Sequence, residues 1–212
     1  MRRTRTPGNS YSDPQRPRRA PLPPTRQTVS MTASFTRMDE STAEQWAVIG
    51  AETMANQPRV AEEIIGMIRR LESITDGFKA DQLVHALQTA TLAEQAGADD
   101  EVVVASLCHD IGKLISVFNH PGIAAEILRP YVRDEVFHMI RAHQDFQGRH
   151  YYQHFGGDTN ARDKYADEPW ADLAARFADE WDQVAFDPDG PYEKLEHFEP
   201  KVREVFASPK YT

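Results

Sequence analysis

The sequence predicts an all-α fold. From about residue 41 onward, apolar residues recur at three- and four-residue spacing, which places them on one face of successive α-helices. Glycine, proline and capping residues divide this pattern into separate segments. Hydrophobic residues make up 40% of the 212 residues, an ordinary fraction for a soluble globular protein, and the length suits one domain with a substantial core.

Residues 1–38 are predicted to be a disordered segment rich in arginine and proline, and residues 39–212 to form the folded domain. Residues 1–35 contain six of the 14 prolines and seven arginines, with few apolar residues to build a core. The composition predicts no secretory signal, because it lacks the apolar stretch of one. Its arginines resemble those of an organelle transit peptide, but the prolines disfavour the amphipathic helix that such a peptide needs.

The first three helices have recognisable boundaries. Ser41-Thr-Ala-Glu44 resembles a capping box that begins a helix. Pro58 can begin the second helix, Asp76-Gly77 is expected to break that helix, and Gly97 is expected to end the third. The apolar positions are Trp46 and Ile49 in the first helix, Val60, Ile64, Ile65, Ile68 and Leu71 in the second, and Leu83, Leu87, Ala90 and Ala93 in the third.

The fourth helix is expected to be central and buried. Asp99-Asp100 supplies acidic residues at its start, where they favour the helix dipole, and the run 102–108 that follows is almost entirely apolar. A buried strand is the competing interpretation of a run with three valines. The helical segments on both sides favour a helix.

Four further helices are predicted, with a polar, aromatic and glycine-rich loop over residues 146–168 that is a natural lid for a site. Asn119-His120-Pro121 is a plausible cap for the first of these helices. The apolar faces are Ile123, Ala124, Ile127 and Leu128, then Val132, Val136, Met139 and Ile140 with His143, then Trp170, Leu173, Phe177, Trp181 and Val184, with Leu195, Phe198, Val202, Val205 and Phe206 in a last helix.

Charge and cysteine content narrow the possible partners. The first 30 residues carry a net charge of +6 and the remainder −15, so nucleic acid is not expected to be the main ligand of the domain. No apolar run approaches the ~20 residues of a membrane span. Cys108 is the only cysteine, which excludes an internal disulfide and fits a cytoplasmic protein.

The dyad His109-Asp110, within Ser106-Leu-Cys-His-Asp-Ile-Gly-Lys113, is the strongest functional signal. Two ionisable neighbours at the end of an apolar helix are costly to bury unless they are paired or bind a cation. A histidine alone is more often structural than a ligand, but several together favour a site for iron or zinc, in which a carboxylate can bridge two ions. The expected ligands are His85, His109, Asp110, His120, His143 and one acid nearer the C-terminus.

The late acid is expected to be Asp182, with Asp179, Asp187 and Asp189 as rivals. Cys108 is interpreted as a small core residue, because it points away from His109 on a helix. His138, His154 and His197 are weaker candidates.

The order His…His-Asp…His…His…Asp resembles the HD-domain superfamily, over roughly residues 58–206. The resemblance implies an all-α HD-domain helical bundle around a dinuclear metal site. It further implies that His85, His109 and Asp182 hold one iron, that His120 and His143 hold the second, and that Asp110 bridges the two.

Two enzyme branches of that superfamily share the core motif. His85-Ala-Leu-Gln-Thr-Ala90 and Met139-Ile-Arg-Ala-His143 resemble segments of the mixed-valence diiron oxygenases, and Phe155-Gly-Gly157 followed by Trp181-Asp182 resembles the phosphonate-cleaving members. This implies two iron ions that use dioxygen to cleave a C–C or C–P bond in a small hydroxylated substrate similar to inositol or a hydroxyphosphonate. The alternative is a phosphohydrolase with manganese or zinc. A non-catalytic HD module is disfavoured because the core ligand positions are intact.

Five side chains are candidate substrate contacts. Lys113 lies one turn beyond His109 on the same side of the helix, where it is expected to be catalytic by neutralising an anionic substrate or bound oxygen species. Inositol oxygenase also has lysine there, whereas the phosphonate enzymes tend to have histidine. Apart from Arg176, no basic residue that grips a phosphonate lies near Asp182. The candidates are Lys113, Gln144, Arg149, His150 and Lys164.

Overall fold

The computed structural model describes residues 32–211, and these are helical with no β-strand. Contacts divide the chain into two compact units, one up to Val48 and one from Ile49 onward. Most of the predicted disordered segment, residues 1–31, lies outside the described residues. The all-α prediction is confirmed.

The first unit contains a short 3-10 helix, Met38–Glu40, and the start of α1 (Ala43–Asn56). The predicted capping box is displaced by one residue. The amide of Thr42 donates to Gln45 Oε1 at 2.9 Å, and the amide of Gln45 donates to Thr42 Oγ1 at 3.4 Å. The Ser41 hydroxyl instead accepts from the Trp46 indole at 2.8 Å.

The second unit contains the remaining helices, which pack around one core. Helix α3 packs on α4, α5 on α6, α6 on α7, and α8 against both α2 and α4. The bounds are α2 Arg59–Arg70, α3 Gln82–Gln95, α4 Asp100–Cys108, α5 His120–Leu128, α6 Asp134–Gln147, α7 Ala171–Arg176 and α8 Leu195–Val205.

Helix α4 is the central element, as predicted. Its segment Val102–Cys108 is buried throughout, and the side chain of Asp99 caps it by accepting from the amide of Val102 at 3.1 Å. A β-strand over this segment is therefore excluded. Cys108 is fully buried, and burial raises the pKa of its thiol, in agreement with a core role.

The predicted long helix through Trp170 and Val184 forms from Ala171 to Asp182, but its second half is π-helical and Val184 lies beyond its end. Helix α7 ends at Arg176, and a π-helical turn, Phe177–Asp182, follows it. Its wider spacing turns Phe177, Trp181 and Asp182 inward, after which the chain turns and leaves Val184 51% exposed.

The polar loop forms short 3-10 helices once α6 has ended at Gln147. They are Gly148–His150, Tyr152–Phe155 and Ala161–Tyr165. None of the helices within residues 32–211 has both the length and the apolar character needed to cross a bilayer.

Candidate metal centre

Six ionisable side chains meet in the interior of the second unit, and each is at most 5% exposed. They are His85 in α3, His109 and Asp110 directly after α4, His120 at the start of α5, His143 in α6 and Asp182 at the end of the π-helical turn. The structure thus brings together all the residues that the sequence indicated as metal ligands.

The two carboxylate oxygens of Asp110 face different pairs of histidines. Oδ2 lies 3.4 Å from His109 Nε2 and 3.7 Å from His85 Nε2. Oδ1 lies 3.1 Å from His120 Nε2 and 3.9 Å from His143 Nε2. A carboxylate with one oxygen toward each pair is placed to bridge two neighbouring cations.

Asp182 joins the first pair of histidines. Its Oδ1 lies 3.2 Å from His85 Nε2 and 3.7 Å from His109 Nε2, and one donor atom from each of the three residues lies within 4.8 Å of the others. The first pair therefore has a carboxylate of its own, in addition to Asp110, and the second pair shares only Asp110.

The rival acids lie elsewhere. Asp187 and Asp189 have side chains that are 64% and 89% exposed, and both lie near Lys79. Asp179, on the π-helical turn, is bound by Arg162 and His150. Of the four late acids, Asp182 is the one that reaches the clustered histidines, at His85 and His109.

All four imidazoles are oriented by the backbone. Each Nδ1 donates to a carbonyl oxygen, and because a carbonyl only accepts, each neutral ring leaves the lone pair of Nε2 facing the centre. The bonds run from His85 to Ala185 at 2.9 Å, from His109 to Ser106 at 2.8 Å, from His120 to Val117 at 2.7 Å and from His143 to Ile140 at 2.7 Å.

These lone pairs face one another at short range. His85 Nε2 lies 3.0 Å from His109 Nε2, and His120 Nε2 lies 3.2 Å from His143 Nε2. Two nitrogen lone pairs at such distances repel each other unless a proton or a metal ion lies between them. A divalent cation bound by each pair removes the repulsion and uses the nitrogen atom by which imidazole ligates metals.

The carboxylates point to the same conclusion. Within residues 32–211, Asp110 Oδ1 and Asp182 Oδ2 are buried and receive no hydrogen bond, while Gln147 donates to Asp182 Oδ1 at 3.0 Å. A buried carboxylate oxygen without a donor is costly. A cation at each position satisfies both oxygens, so the residues present fit a dinuclear metal site.

The pKa shifts of the two carboxylates and of His143 agree with ligation. Burial raises the pKa of Asp110, but the adjacent His109 outweighs it and holds that pKa well below its usual range. For Asp182, burial is outweighed in the same way by the contact with His85, which lowers the pKa. Burial, followed by the charges of neighbouring histidines, lowers the pKa of His143 to about 3. Ionised carboxylates and neutral His143 are the protonation states that metal binding requires.

The close approach of Gly112 to the backbone of His120 explains why glycine stands two residues after Asp110 in the motif. A Cβ on Gly112 would lie 2.3 Å from the carbonyl oxygen of His120 and 2.7 Å from its Cα. Only glycine permits this approach of the segment Ile111–Leu114 to the start of α5. Gly112 therefore sets the distance between the His109-Asp110 dyad and His120.

A cavity of about 810 Å³ opens onto the centre. Of the five predicted substrate contacts, Lys113, Gln144 and His150 line it, but Arg149 and Lys164 do not. Arg149 is exposed, and Lys164 lies 2.9 Å from Asp145. The cavity lining is Asp76, Phe78, Asp110, Lys113, Val117, Phe118, His120, His143, Gln144, Gln147, His150, Tyr151, His154, Phe155, Gln183 and Phe186.

Lys113 is more fully paired than the sequence indicates. Its Nζ lies 2.8 Å from Asp110 Oδ2 and 3.6 Å from Asp76 Oδ2, and it donates to Gln82 Oε1 at 3.0 Å. Its charge is thus already balanced by carboxylates. Lys113 therefore positions Asp110 and is itself a cation that lines the cavity.

Sequence reasoning missed the support that Phe186 and Ala185 give to His85. The Phe186 ring stacks on the His85 ring at 4.1 Å, and Phe78 stacks on the other side of Phe186 at 4.5 Å. Ala185 supplies the carbonyl that orients His85. The run Phe186-Asp-Pro-Asp-Gly190 looks only like a helix terminator, and it carries no signal for this role.

Asp76, which also lines the cavity, was treated only as a turn residue. It has a φ of +49°, a left-handed conformation that non-glycine residues seldom adopt, and such strain is often found at functional sites.

Comparison with known proteins agrees with this geometry. Residues 83–187 match the HD domain family, and that range contains all six clustered side chains. The chain is also 31% identical over 100 residues to the [1-hydroxy-2-(trimethylamino)ethyl]phosphonate dioxygenase (glycine-betaine-forming) of Leisingera caerulea. That match covers 42% of this chain and 51% of the relative, so it spans about half the length of that protein.

Proposed function

Because residues 83–187 match the HD domain family, we propose that this chain is a metal-dependent enzyme whose centre holds two iron ions and uses dioxygen to oxidise and cleave a small hydroxylated molecule. The observation that carries the proposal is Asp110, whose two oxygens face separate pairs of histidines. A single-ion site has no need of this division.

The unequal numbers of protein donors on the two sides of Asp110 support different roles for the two metal positions. His85, His109 and Asp182 provide three donors on one side of Asp110, and His120 and His143 provide two on the other. The side with fewer protein donors leaves more room for a substrate, and it is the side whose histidines line the cavity. When bound, two iron ions would supply Lewis acidity and the electrons that activate dioxygen.

The phosphonate dioxygenase supports the oxygenase branch over the hydrolase branch. The printed name of that relative describes a substrate with a hydroxyl, a phosphonate and a trimethylamino group. In this chain the aromatic rings of Phe78 and Tyr151 line the cavity, and aromatic faces attract a quaternary ammonium group. A hydroxyphosphonate is therefore the preferred substrate class, with an inositol-like polyol as the second.

The remaining cavity residues would bind the substrate and shield it from water. Gln144 and Gln147 offer amides from one face of α6, and Lys113 holds Asp110 in its bridging orientation. Tyr151 lies between two of the short helices and Phe155 lies in the second of them, and both belong to the loop that forms one wall of the cavity. A wall built on a loop can admit the substrate and then exclude solvent.

Iron loading followed by spectroscopy tests the proposal. The full chain is purified anaerobically with iron, exposed to limited oxygen, and examined by EPR together with oxygen uptake on a panel of 1-hydroxyphosphonates and polyols. We expect a mixed-valence signal at low g and uptake that depends on one of these compounds. Asp110→Asn is expected to abolish both, whereas His197→Gln, at a surface histidine bonded to Glu94, should leave them unchanged.

Turnover of phosphoesters without oxygen, in protein loaded with manganese or zinc, would instead establish the phosphohydrolase alternative. The cytoplasmic location remains a prediction of the cysteine content.

A further inference from the structure

A second network of charged side chains lies beside the cavity and is separate from the metal ligands. Arg162 donates to both oxygens of Asp179, at 2.9 Å to Oδ2 and 2.7 Å to Oδ1, and also to the carbonyl of Phe146 at 3.0 Å. The Arg162 side chain is 11% exposed and lies over the Phe146 ring. A bidentate contact of this kind fixes the position of the Asp179 carboxylate.

The same carboxylate holds His150, which lines the cavity. His150 Nε2 lies 2.8 Å from Asp179 Oδ1. Burial raises the pKa of Asp179, but the hydrogen bonds from Arg162 and His150 outweigh it and lower the pKa, so the group is ionised and only accepts. His150 Nε2 must therefore carry the hydrogen of this bond.

This bond fixes which nitrogen of His150 is left for a ligand. With the hydrogen on Nε2, the neutral ring has its lone pair on Nδ1, and within residues 32–211 no hydrogen bond to Nδ1 is made. A carboxylate that sets the tautomer and the orientation of an imidazole is the arrangement by which serine hydrolases prepare a histidine to accept a proton.

Beside His150, the charges favour a neutral donor such as a substrate hydroxyl over an anionic group such as a phosphonate. Arg162 is committed to Asp179. Arg176, the other arginine close to Asp182 in sequence, lies 3.1 Å from Glu180 on the surface. The wall around His150 thus offers a hydrogen-bond acceptor where a phosphonate-binding wall would offer a free guanidinium.

We propose that His150 is a specificity-determining residue that accepts a hydrogen bond at Nδ1 from a hydroxyl group of the substrate, and that Asp179 and Arg162 are positioning residues that fix its tautomer. This inference rests on the proposed function only in taking the cavity as the substrate site. The hydrogen bond to His150 would favour hydroxylated substrates over their deoxy analogues, because an analogue without the hydroxyl leaves Nδ1 unpaired.

The first measurement is the tautomer of His150 in the zinc-loaded full chain, by long-range ¹H–¹⁵N NMR. We expect Nε2 to carry the hydrogen in the wild-type protein and a mixture of tautomers in Asp179→Ala. Glu94→Gln is the matched control, because Glu94 binds His197 at the same 2.8 Å on the surface and does not line the cavity. A wild-type His150 with its hydrogen on Nδ1 overturns the inference.

The second measurement compares two probes, 1-hydroxyethylphosphonate and ethylphosphonate, which differ only in the hydroxyl. We expect the zinc-loaded wild-type protein to prefer the hydroxylated probe, and Asp179→Ala to reduce that preference about fivefold, roughly the value of one hydrogen bond. His150→Ala keeps the partly buried Arg162–Asp179 pair and removes the imidazole acceptor, so it should lose the same preference even if Asp179→Ala folds poorly.

Equal losses for both probes, or no wild-type preference for the hydroxylated one, overturn the inference. Failure of the iron-loaded protein to take up oxygen would refute the oxygenase proposal alone, because the tautomer and probe measurements use zinc-loaded protein and do not depend on oxygen chemistry.

Discussion

Replacement of Gly112 by alanine is a direct test of the metal centre, because it moves one ligand without touching any. The new Cβ would lie 2.3 Å from the carbonyl oxygen of His120, whereas an ordinary contact begins at 3.4 Å. The start of α5 must therefore move away by about 1 Å, because close-packed backbone leaves no other outlet. His120 Nε2, now 3.1 Å from Asp110 Oδ1, would move with it.

The magnitudes decide the expected result. Overpacking of this kind costs about 1–3 kcal/mol in the free energy of unfolding, which a folded domain can tolerate. Metal–ligand bonds tolerate a displacement of only about 0.2 Å, so the pair His120 and His143 should lose its ion. We expect metal analysis after dialysis to give about one ion per chain in Gly112→Ala against about two in the wild-type protein, and urea unfolding to show the modest loss of stability.

Gly66→Ala is the matched control. Gly66 lies inside α2, and a Cβ there meets nothing within 4 Å. We expect this variant to gain about 0.5–1 kcal/mol in stability and to keep its metal content. If Gly112→Ala binds two ions with wild-type affinity, the claim that this glycine spaces the two halves of the centre is refuted.

Three further predictions concern single side chains. Cys108, fully buried with a raised thiol pKa, should not react with a disulfide reagent in the native protein and should react once in urea. Asp182→Asn should weaken the binding of one ion at least tenfold in a metal titration, whereas the exposed Asp187→Asn should bind as the wild-type protein does. The folded pKa of Asp179 is lowered, so its contribution to stability is present above the unfolded value of about 3.9 and is lost as the pH falls through the folded pKa. Asp179→Asn should therefore cost about 1 kcal/mol in urea unfolding at pH 6 and less at pH 3, and an equal cost at both values would contradict the pairing with Arg162.

The sequence predicts the buried centre well because burial and charge conflict there. The apolar run 102–108 requires a central helix, and two ionisable residues at its end require a cation. The predicted amphipathic helix before Asp182 and the Phe-Asp-Pro-Asp-Gly break after it favour this acid, and the structure places it against His85.

Other features have no comparable signal. The π-helical turn Phe177–Asp182 depends on a change of hydrogen-bond register that residue types do not encode, and the helical spacing of Val184 continues past the true end of the turn. Lys113 lines the cavity, but it lies in the 3-10 helix Ile111–Leu114 and not on a continuous α-helix with His109, and its partners Asp76 and Gln82 are distant in sequence. Spacing alone cannot reveal such partners, since they are chosen by tertiary packing.

The way the imidazoles are oriented has a consequence for biosynthesis. His109, His120 and His143 each bond a carbonyl three residues earlier in their own helical turn, so they acquire their orientation as soon as that turn forms. His85 waits for the carbonyl of Ala185, 100 residues downstream. A nascent chain emerging from the ribosome can therefore orient His120 and His143 before the segment that ends at Phe186 is translated, whereas His85 can be oriented only afterwards.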